Sequence, residues 1–390
     1  MRARIRVSLA VPGFLSLFLF STLSLVVHAQ AEAPAQQSSP ASATPAAPAT
    51  PAAAANNAAS VVPPEAPDHR ISLDVVVTDK AGNPQSGLQQ QDFTILDDKQ
   101  PENILSFRAT DEGSAAEPMQ IIFLLDAVNT GAQTMGFERL ELEKFLRQDG
   151  GHLALPTSLV FLTDTSTEVQ PGTTRDGNAL ADLLKSKETG LRIIGRSQGI
   201  YGAMDRFNLG LTALERISGY EARQPGRKLL VWFSSGWPML SGPRLELTKK
   251  NEDWLFNGVV TMSRALREAR VTLYSVDPLG TSDAGSFRTF YYESFLKGVP
   301  SSSKVLPGNL ALQVLAAQTG GKVLNSNNDL TKLIANCVID AKAYYTMSFI
   351  YPPADHPDEF HSLEVKVDKP GLTARTRMGY YAQPYKDTGR

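Results

Sequence analysis

The chain has 390 residues, 42% hydrophobic and 20% charged, enough apolar material for one large or two modest domains. Its formal net charge of −2, without any basic run, leaves no electrostatic footprint for nucleic acid. A single cysteine, Cys337, excludes an internal disulfide.

Arg2, Arg4 and Arg6 open the chain, and the stretch from Val7 to Val27 is almost wholly apolar or small. Val27-His28-Ala29 places small residues where a signal peptidase reads, so residues 1–29 read as a signal peptide that is removed. An uncleaved membrane anchor is the alternative; the run is long enough, but Pro12 and Gly13 sit inside it. No cysteine follows the run, which disfavours a lipid anchor. Either form places the protein outside the cytoplasm, periplasmic or secreted. Residues 30–69 are dominated by Ala, Pro, Ser and Gln. Such a stretch cannot bury enough apolar area to offset its ordering entropy and reads as a disordered linker, a flexible tether.

Ile71–Val77 alternates with period two, Phe93–Leu96 and Ile104–Phe107 follow as strands, and turn residues separate them. Residues 70–112 thus form a β unit too short for independent stability. From Met119 the pattern changes. Ile121–Leu125 is a continuous apolar run ending in Asp126, as expected of a strand buried on both faces. Further strands fall at Leu159–Leu162, Leu229–Phe233, Val271–Val276 and Lys322–Leu324. Helices fall at Phe137–Arg147 (apolar at Phe137, Leu140, Phe145 and Leu146), Gly177–Lys187, Gly202–Ser218, Asn251–Glu268, Asn309–Gln318 and around Cys337. This alternation predicts an α/β domain over 118–342, a doubly wound, mostly parallel sheet with helices on both faces. Residues 343–382 return to strands, at Tyr344–Tyr351, His361–Val367 and Thr373–Arg377. They are expected to pair with 70–112 in a small β-sandwich-like unit.

Ligands of an open parallel sheet bind beyond the carboxyl ends of its strands. The groups there are Asp126, Asn129 and Thr130; Thr163, Asp164 and Ser166; Ser234, Ser235 and Gly236; and Asp277. Hard oxygen donors without His or Cys suit Mg²⁺ or Ca²⁺ rather than zinc. The alternative for Asp126 is that its carboxylate caps the following turn.

Leu124-Leu-Asp126-Ala-Val-Asn129-Thr130 resembles the Asp-x-Ser-x-Ser metal loop of von Willebrand factor A domains. Flanking pieces resemble a bacterial branch, the acidobacterial von Willebrand factor A-related family. These are Val75-Val-Val-Thr-Asp-Lys-Ala-Gly82, Tyr274-Ser-Val-Asp277-Pro278, and Phe360-His-Ser-Leu-Glu-Val through Arg377-Met-Gly379-Tyr380-Tyr381. The resemblance spans residues 70–382 and implies a protein-binding module with a metal-dependent adhesion site. Here Asp126 and Thr130 match that pattern, but Val128 stands where the first hydroxyl belongs, and a valine ligates nothing. Gln198 occupies the place of a family threonine, and Ser234-Ser235 replaces an acidic residue. The remnant set is therefore Asp126, Asn129, Thr130, Asp164 and Ser234, a degenerate site.

Two aromatic groups, Trp237 and Phe287 with Phe290, Tyr291, Tyr292 and Phe295, lie beyond strand ends. Trp237, Phe290, Tyr291 and Tyr292 are candidates for binding a protein partner; the alternative is that they pack back on the domain. Cys337 shares an apolar helix face with Leu330, Ile334, Val338 and Ala341 and is expected to be buried and inert. Gly219 to Lys228 lacks phosphate-loop spacing, no Gly-x-Ser-x-Gly elbow is present, and no histidines have zinc spacing. His361 is expected on the surface or packed in the sandwich. The reading is a non-enzymatic interaction module, with a metal-gated adhesion module and an extracytoplasmic hydrolase using Asp126 and Asp164 as alternatives.

Overall fold

Continuous apolar runs build the centre of the molecule, because a strand covered on both faces has no polar side to offer. The computed structural model describes residues 69–111, 118–187, 199–237, 247–278, 292–325 and 327–384. The expected signal peptide lies outside these residues, as do the linker up to residue 68 and Gln198, Phe287, Phe290 and Tyr291. No helix among the described residues is long and apolar enough to cross a membrane.

The chain begins with β1 (Arg70–Thr78), β2 (Phe93–Asp97), β3 (Gln100–Glu102) and β4 (Ser106–Thr110). The central part comprises β5 (Met119–Asp126), α1 (Ala132–Leu146), β6 (His152–Leu162), β7 (Thr167–Val169), β8 (Thr174–Asp176), α2 (Gly177–Ser186) and α3 (Gly199–Glu221). It continues through β9 (Arg227–Phe233), α4 (Lys249–Glu268), β10 (Val271–Val276), α5 (Leu312–Gln318), β11 (Val323–Leu324) and α6 (Leu330–Val338). The last strands are β12 (Tyr344–Ile350), β13 (Glu359–Val367), β14 (Thr373–Arg375) and β15 (Gly379–Ala382).

The central seven-stranded sheet runs β11-β10-β9-β5-β6-β7, with β8 also on β6. The first five of these strands are parallel to one another; β7 and β8 are antiparallel to β6. Successive side chains of a strand point to opposite faces. Accordingly Phe123, Phe161, Val231 and Phe233 bury against Leu142 of α1, Leu180 of α2 and Ile334 of α6. Leu124, Val160, Trp232 and Leu273 bury against Phe207 of α3, Val259 of α4 and Leu315 of α5. The result is a doubly wound α/β domain.

The outer strands form two antiparallel four-stranded sheets, β14-β1-β12-β4 and β15-β13-β2-β3. β1 pairs with β12 with Val75 opposite Tyr345, and β2 pairs with β13 with Ile95 opposite Val365. Leu73, Val75, Met347 and Phe349 of one sheet pack with Ile95, Leu363 and Tyr380 of the other. Both ends of the described chain therefore share one sandwich-like core.

Asp340, just after α6, ties that sandwich to the α/β layer. Its fully buried carboxylate accepts from Tyr274 Oη (2.7 Å), Lys322 Nζ (2.9 Å) and the Arg375 guanidinium. Burial alone would raise its pKa, but the charges of Arg375 and Lys322 outweigh that and hold it below the usual carboxylate value.

Several local readings differ from the sequence expectation. β3, β7 and β8 were not expected, because three-residue polar edge strands carry no periodic signal. The buried face of α1 is Met135, Glu138, Leu142 and Leu146. Of the expected apolar set only Leu146 is fully buried, and Leu140 is 52% exposed. The helix expected from Asn309 begins at Leu312, after a 3-10 turn at Pro307–Leu310. The strand expected through Arg377 stops at Arg375. Cys337 is fully buried, and burial pushes its thiol pKa up.

Candidate functional site

β5 ends in Asp126 at the carboxyl edge of the sheet, and the turn that follows folds over its side chain. Oδ1 accepts from the backbone N–H of Val128 (3.0 Å) and of Asn129 (2.9 Å). Oδ2 accepts from Asn129 Nδ2 (2.9 Å) and from the indole Nε1 of Trp232 on the adjacent β9 (3.0 Å). Burial raises the pKa of Asp126, and the hydrogen bonds from Asn129, Trp232 and Ser234 oppose that rise. No part of the carboxylate reaches solvent.

Asn129, Thr130 and Ser234 surround this group and are buried. Ser235 Oγ donates to the Asn129 carbonyl at 3.4 Å, and Ser234 Oγ accepts from Gly236 N at 3.0 Å. Asn129 Oδ1 and Thr130 Oγ1 are buried without a partner among the described residues. Asp164 is half-buried in the turn after β6. Asn129 and Ser234 hydrogen-bond to the Asp126 carboxylate, and the Thr130 backbone N–H donates to the Asp126 carbonyl at 3.2 Å.

Sequence reading missed a further acid in this neighbourhood. Glu138 of α1 is 1% exposed, and both of its carboxylate oxygens lack a partner among the described residues. Burial lifts its pKa well above the ordinary glutamate value, with the charges of Asp277 and Asp126 adding to the shift. Its only signal in the sequence is position: Met135, Glu138, Leu142 and Leu146 follow the three-to-four spacing of a helix's inner face.

A divalent cation of the Mg²⁺ or Ca²⁺ class needs several oxygens aimed at one point. The strongest candidate ligand, Asp126, instead turns both oxygens to N–H donors. One is an indole, which can donate and cannot ligate. Val128 contributes only its backbone N–H.

The candidate partner-binding aromatics also differ from expectation where they are described. Trp237 is 2% exposed; it packs edge-on against Trp232 at 5.4 Å and donates to the Leu310 carbonyl at 2.7 Å. A side chain this enclosed is part of the core, which corrects its assignment as a surface anchor. Tyr292 is half-buried against Ala311 and Val314, so it packs back on the domain. Tyr201 and Trp254 are the aromatics left most exposed among the described residues, at 77% and 38%.

A second titratable group lies in the sandwich. His361 Nδ1 is 3.1 Å from Asp97 Oδ1 and 3.7 Å from Asp98 Oδ2, and Tyr380 Oη donates to Asp97 at 2.5 Å. Asp98 Oδ1 already accepts from the backbone N–H and hydroxyl of Ser362. These contacts tie β2, β13 and β15 together as a structural latch.

No family model matches this chain, and no curated protein matches it. Solved structures with a detectable likeness include an aerotolerance-related membrane protein from Bacteroides fragilis, at 10% identity over 57% of this chain and 98% of that one, TM-score 0.32. The manganese-loaded TRAP protein of Plasmodium vivax matches at 9% identity over 71% of this chain and 99% of that one, TM-score 0.32. The SpRpn10 VWA domain matches at 11% identity over 57% and 97%, TM-score 0.25. At these identities and scores the likeness carries no functional inference.

Proposed function

We propose that this chain is an exported, non-enzymatic protein-interaction module of the von Willebrand factor A type. In it the metal-dependent site has become a structural hydrogen-bond node. The carrying observation is the closure of Asp126 by Val128, Asn129 and Trp232. The family resemblance of the terminal segments and the doubly wound sheet with its appended sandwich support the module reading. Export rests on the amino-terminal arginines, the apolar run and the Val27-His28-Ala29 segment. Hydrolysis would need a base, a nucleophile and an oxyanion site converging on one pocket. Asp126, the acid on which that reading depends, is fully buried and engaged.

A metal-gated adhesion module is the second reading. The unpartnered oxygens of Asn129, Thr130 and Glu138 favour it, since they are the groups a cation would use. Calorimetric titration of the full chain with Mg²⁺, Ca²⁺ and Mn²⁺, beside Asp126→Asn, separates the two. The node reading expects no metal-specific heat from either protein. Heat in the wild type that is lost in the variant would establish the adhesion reading instead.

A further inference from the structure

At the other edge of the central sheet, where β10 begins, three arginines meet around a single carboxylate. Arg267 lies in the last turn of α4, Arg270 immediately precedes β10, and Arg377 lies between β14 and β15. They line a cavity of about 10 Å³ together with Thr272 and Asp74, its single carboxylate. Asp74 is already engaged: it accepts from Arg270 Nη2 at 2.6 Å and from Thr346 Oγ1 at 3.2 Å.

Arg377 is the group the fold does not account for. It is 8% exposed, and no residue among those described hydrogen-bonds to its guanidinium. Burial and the neighbouring Arg267 pull its pKa down to about 9, with Asp74 opposing, so it remains a cation at neutral pH. Among the described residues Arg267 pairs with Glu268 at 3.7 Å, and that carboxylate is 56% exposed. A buried charge left without a hydrogen-bonded counterpart is strongly destabilising.

The backbone around these arginines is unusual too. Arg270 holds φ 51°, the left-handed conformation that glycine normally supplies after a helix, and its N–H closes on the Arg267 carbonyl. Gly320, at φ +82°, lets the Thr376–Arg377 backbone approach so closely that a Cβ there would meet Thr376 C at 2.7 Å. Both features bring guanidinium groups to one cavity. Outside it lies a cleft of about 230 Å³ that shares Ser72 and Arg270 as walls and adds Arg108.

We propose that this arginine cavity binds a tetrahedral oxyanion of the phosphate class, with Arg377 as its principal partner and Arg267, Arg270 and Thr272 around it. The inner space holds no more than about one water, so the anion would sit at its mouth, where Ser72 and Arg270 border the adjoining cleft. The adjoining cleft has room for the remainder of a phosphomonoester. The free anion and the ester end group share this chemistry. The site is separate from Asp126, at the opposite ends of the parallel strands, and does not depend on the function proposed above.

The test uses the full chain, with thermal unfolding and calorimetry in inorganic phosphate, against chloride and acetate at matched ionic strength. Phosphate should raise Tm beyond either control. Arg377→Met should weaken phosphate binding at least tenfold while leaving the protein as stable as, or more stable than, the wild type without phosphate. Arg267→Gln, at a less buried position, should weaken binding several-fold and serves if Arg377→Met does not fold. Glycerol phosphate distinguishes the sources. Affinity equal to that of phosphate marks a free-anion site; tighter binding that falls back to the phosphate level in Arg108→Ala marks an ester site. A wild type that responds to phosphate no more than to acetate overturns the proposal, as does a phosphate response unchanged in the variants.

Discussion

A carboxyl group buried with neither oxygen paired loses its hydration and gains nothing in return, and Glu138 is such a group. Its raised pKa means that the native protein holds a proton that the unfolded chain releases above its ordinary value, about 4.3. Stability from this residue is therefore greatest in acid and is lost as pH rises through the folded value. Glu138→Met keeps the volume and removes both oxygens. It should stabilise the protein by about 1–3 kcal/mol above neutral pH, with the gain shrinking toward about pH 4. Urea unfolding across that range measures it; a variant less stable than wild type at high pH would show that Glu138 has a stabilising partner. Asp126 is the contrasting case, equally buried but supplied with donors on both oxygens. The sequence placed Asp126, Asn129, Thr130 and Ser234 at strand ends correctly. It could not disclose that Trp232 points its indole at Asp126, because a tryptophan in an apolar strand reads simply as core.

Among elements, β2, β13 and β15 are held in register by backbone ladders and by the contacts of His361 and Tyr380 with Asp97. The hydrogen bond to Asp97 raises the His361 pKa, burial opposes it, and the charges of Asp97 and Asp98 add to the rise. A histidine with a raised folded pKa stabilises fully below its unfolded value, about 6.5, and loses that contribution as pH rises through the folded value. His361→Gln should thus be most costly near pH 6 and least costly near about pH 9. Denaturation midpoints of both proteins at the two pH values check this, and a penalty independent of pH would mean the imidazole acts by packing alone. Strands with long apolar runs, such as β5, β9 and β10, were legible because burial on both faces leaves a continuous signal. The inner face of α1 was misjudged because Phe137 and Leu140 look more apolar than Glu138, although helical spacing puts the glutamate inside. Arg377 was passed over for a similar reason: read as the last residue of a strand, a single arginine gives no periodic cue to burial.

At the scale of the whole molecule, Asp340 joins the α/β layer to the sandwich through Tyr274, Lys322 and Arg375. Arg227 adds to this seam, with its guanidinium 4.7 Å from the Tyr344 ring centre and Nη1 donating to the Asp340 carbonyl. Removing one partner of a buried charge network leaves the others uncompensated. Asp340→Ala should cost about 3–5 kcal/mol, read from urea unfolding; a loss under about 1 kcal/mol, the range of an exposed pair, would mean that water reaches the seam.

The pairing of β1 with β12 sets an order of events for the chain as it is made. Val75 finds its partner in Tyr345, so the first strand has no edge to join until almost the whole sequence is available. Contacts between such distant segments form slowly, because a long loop must close before they contribute. The sandwich can assemble only once the tail is available, so this topology delays tertiary structure until the last strands have been made.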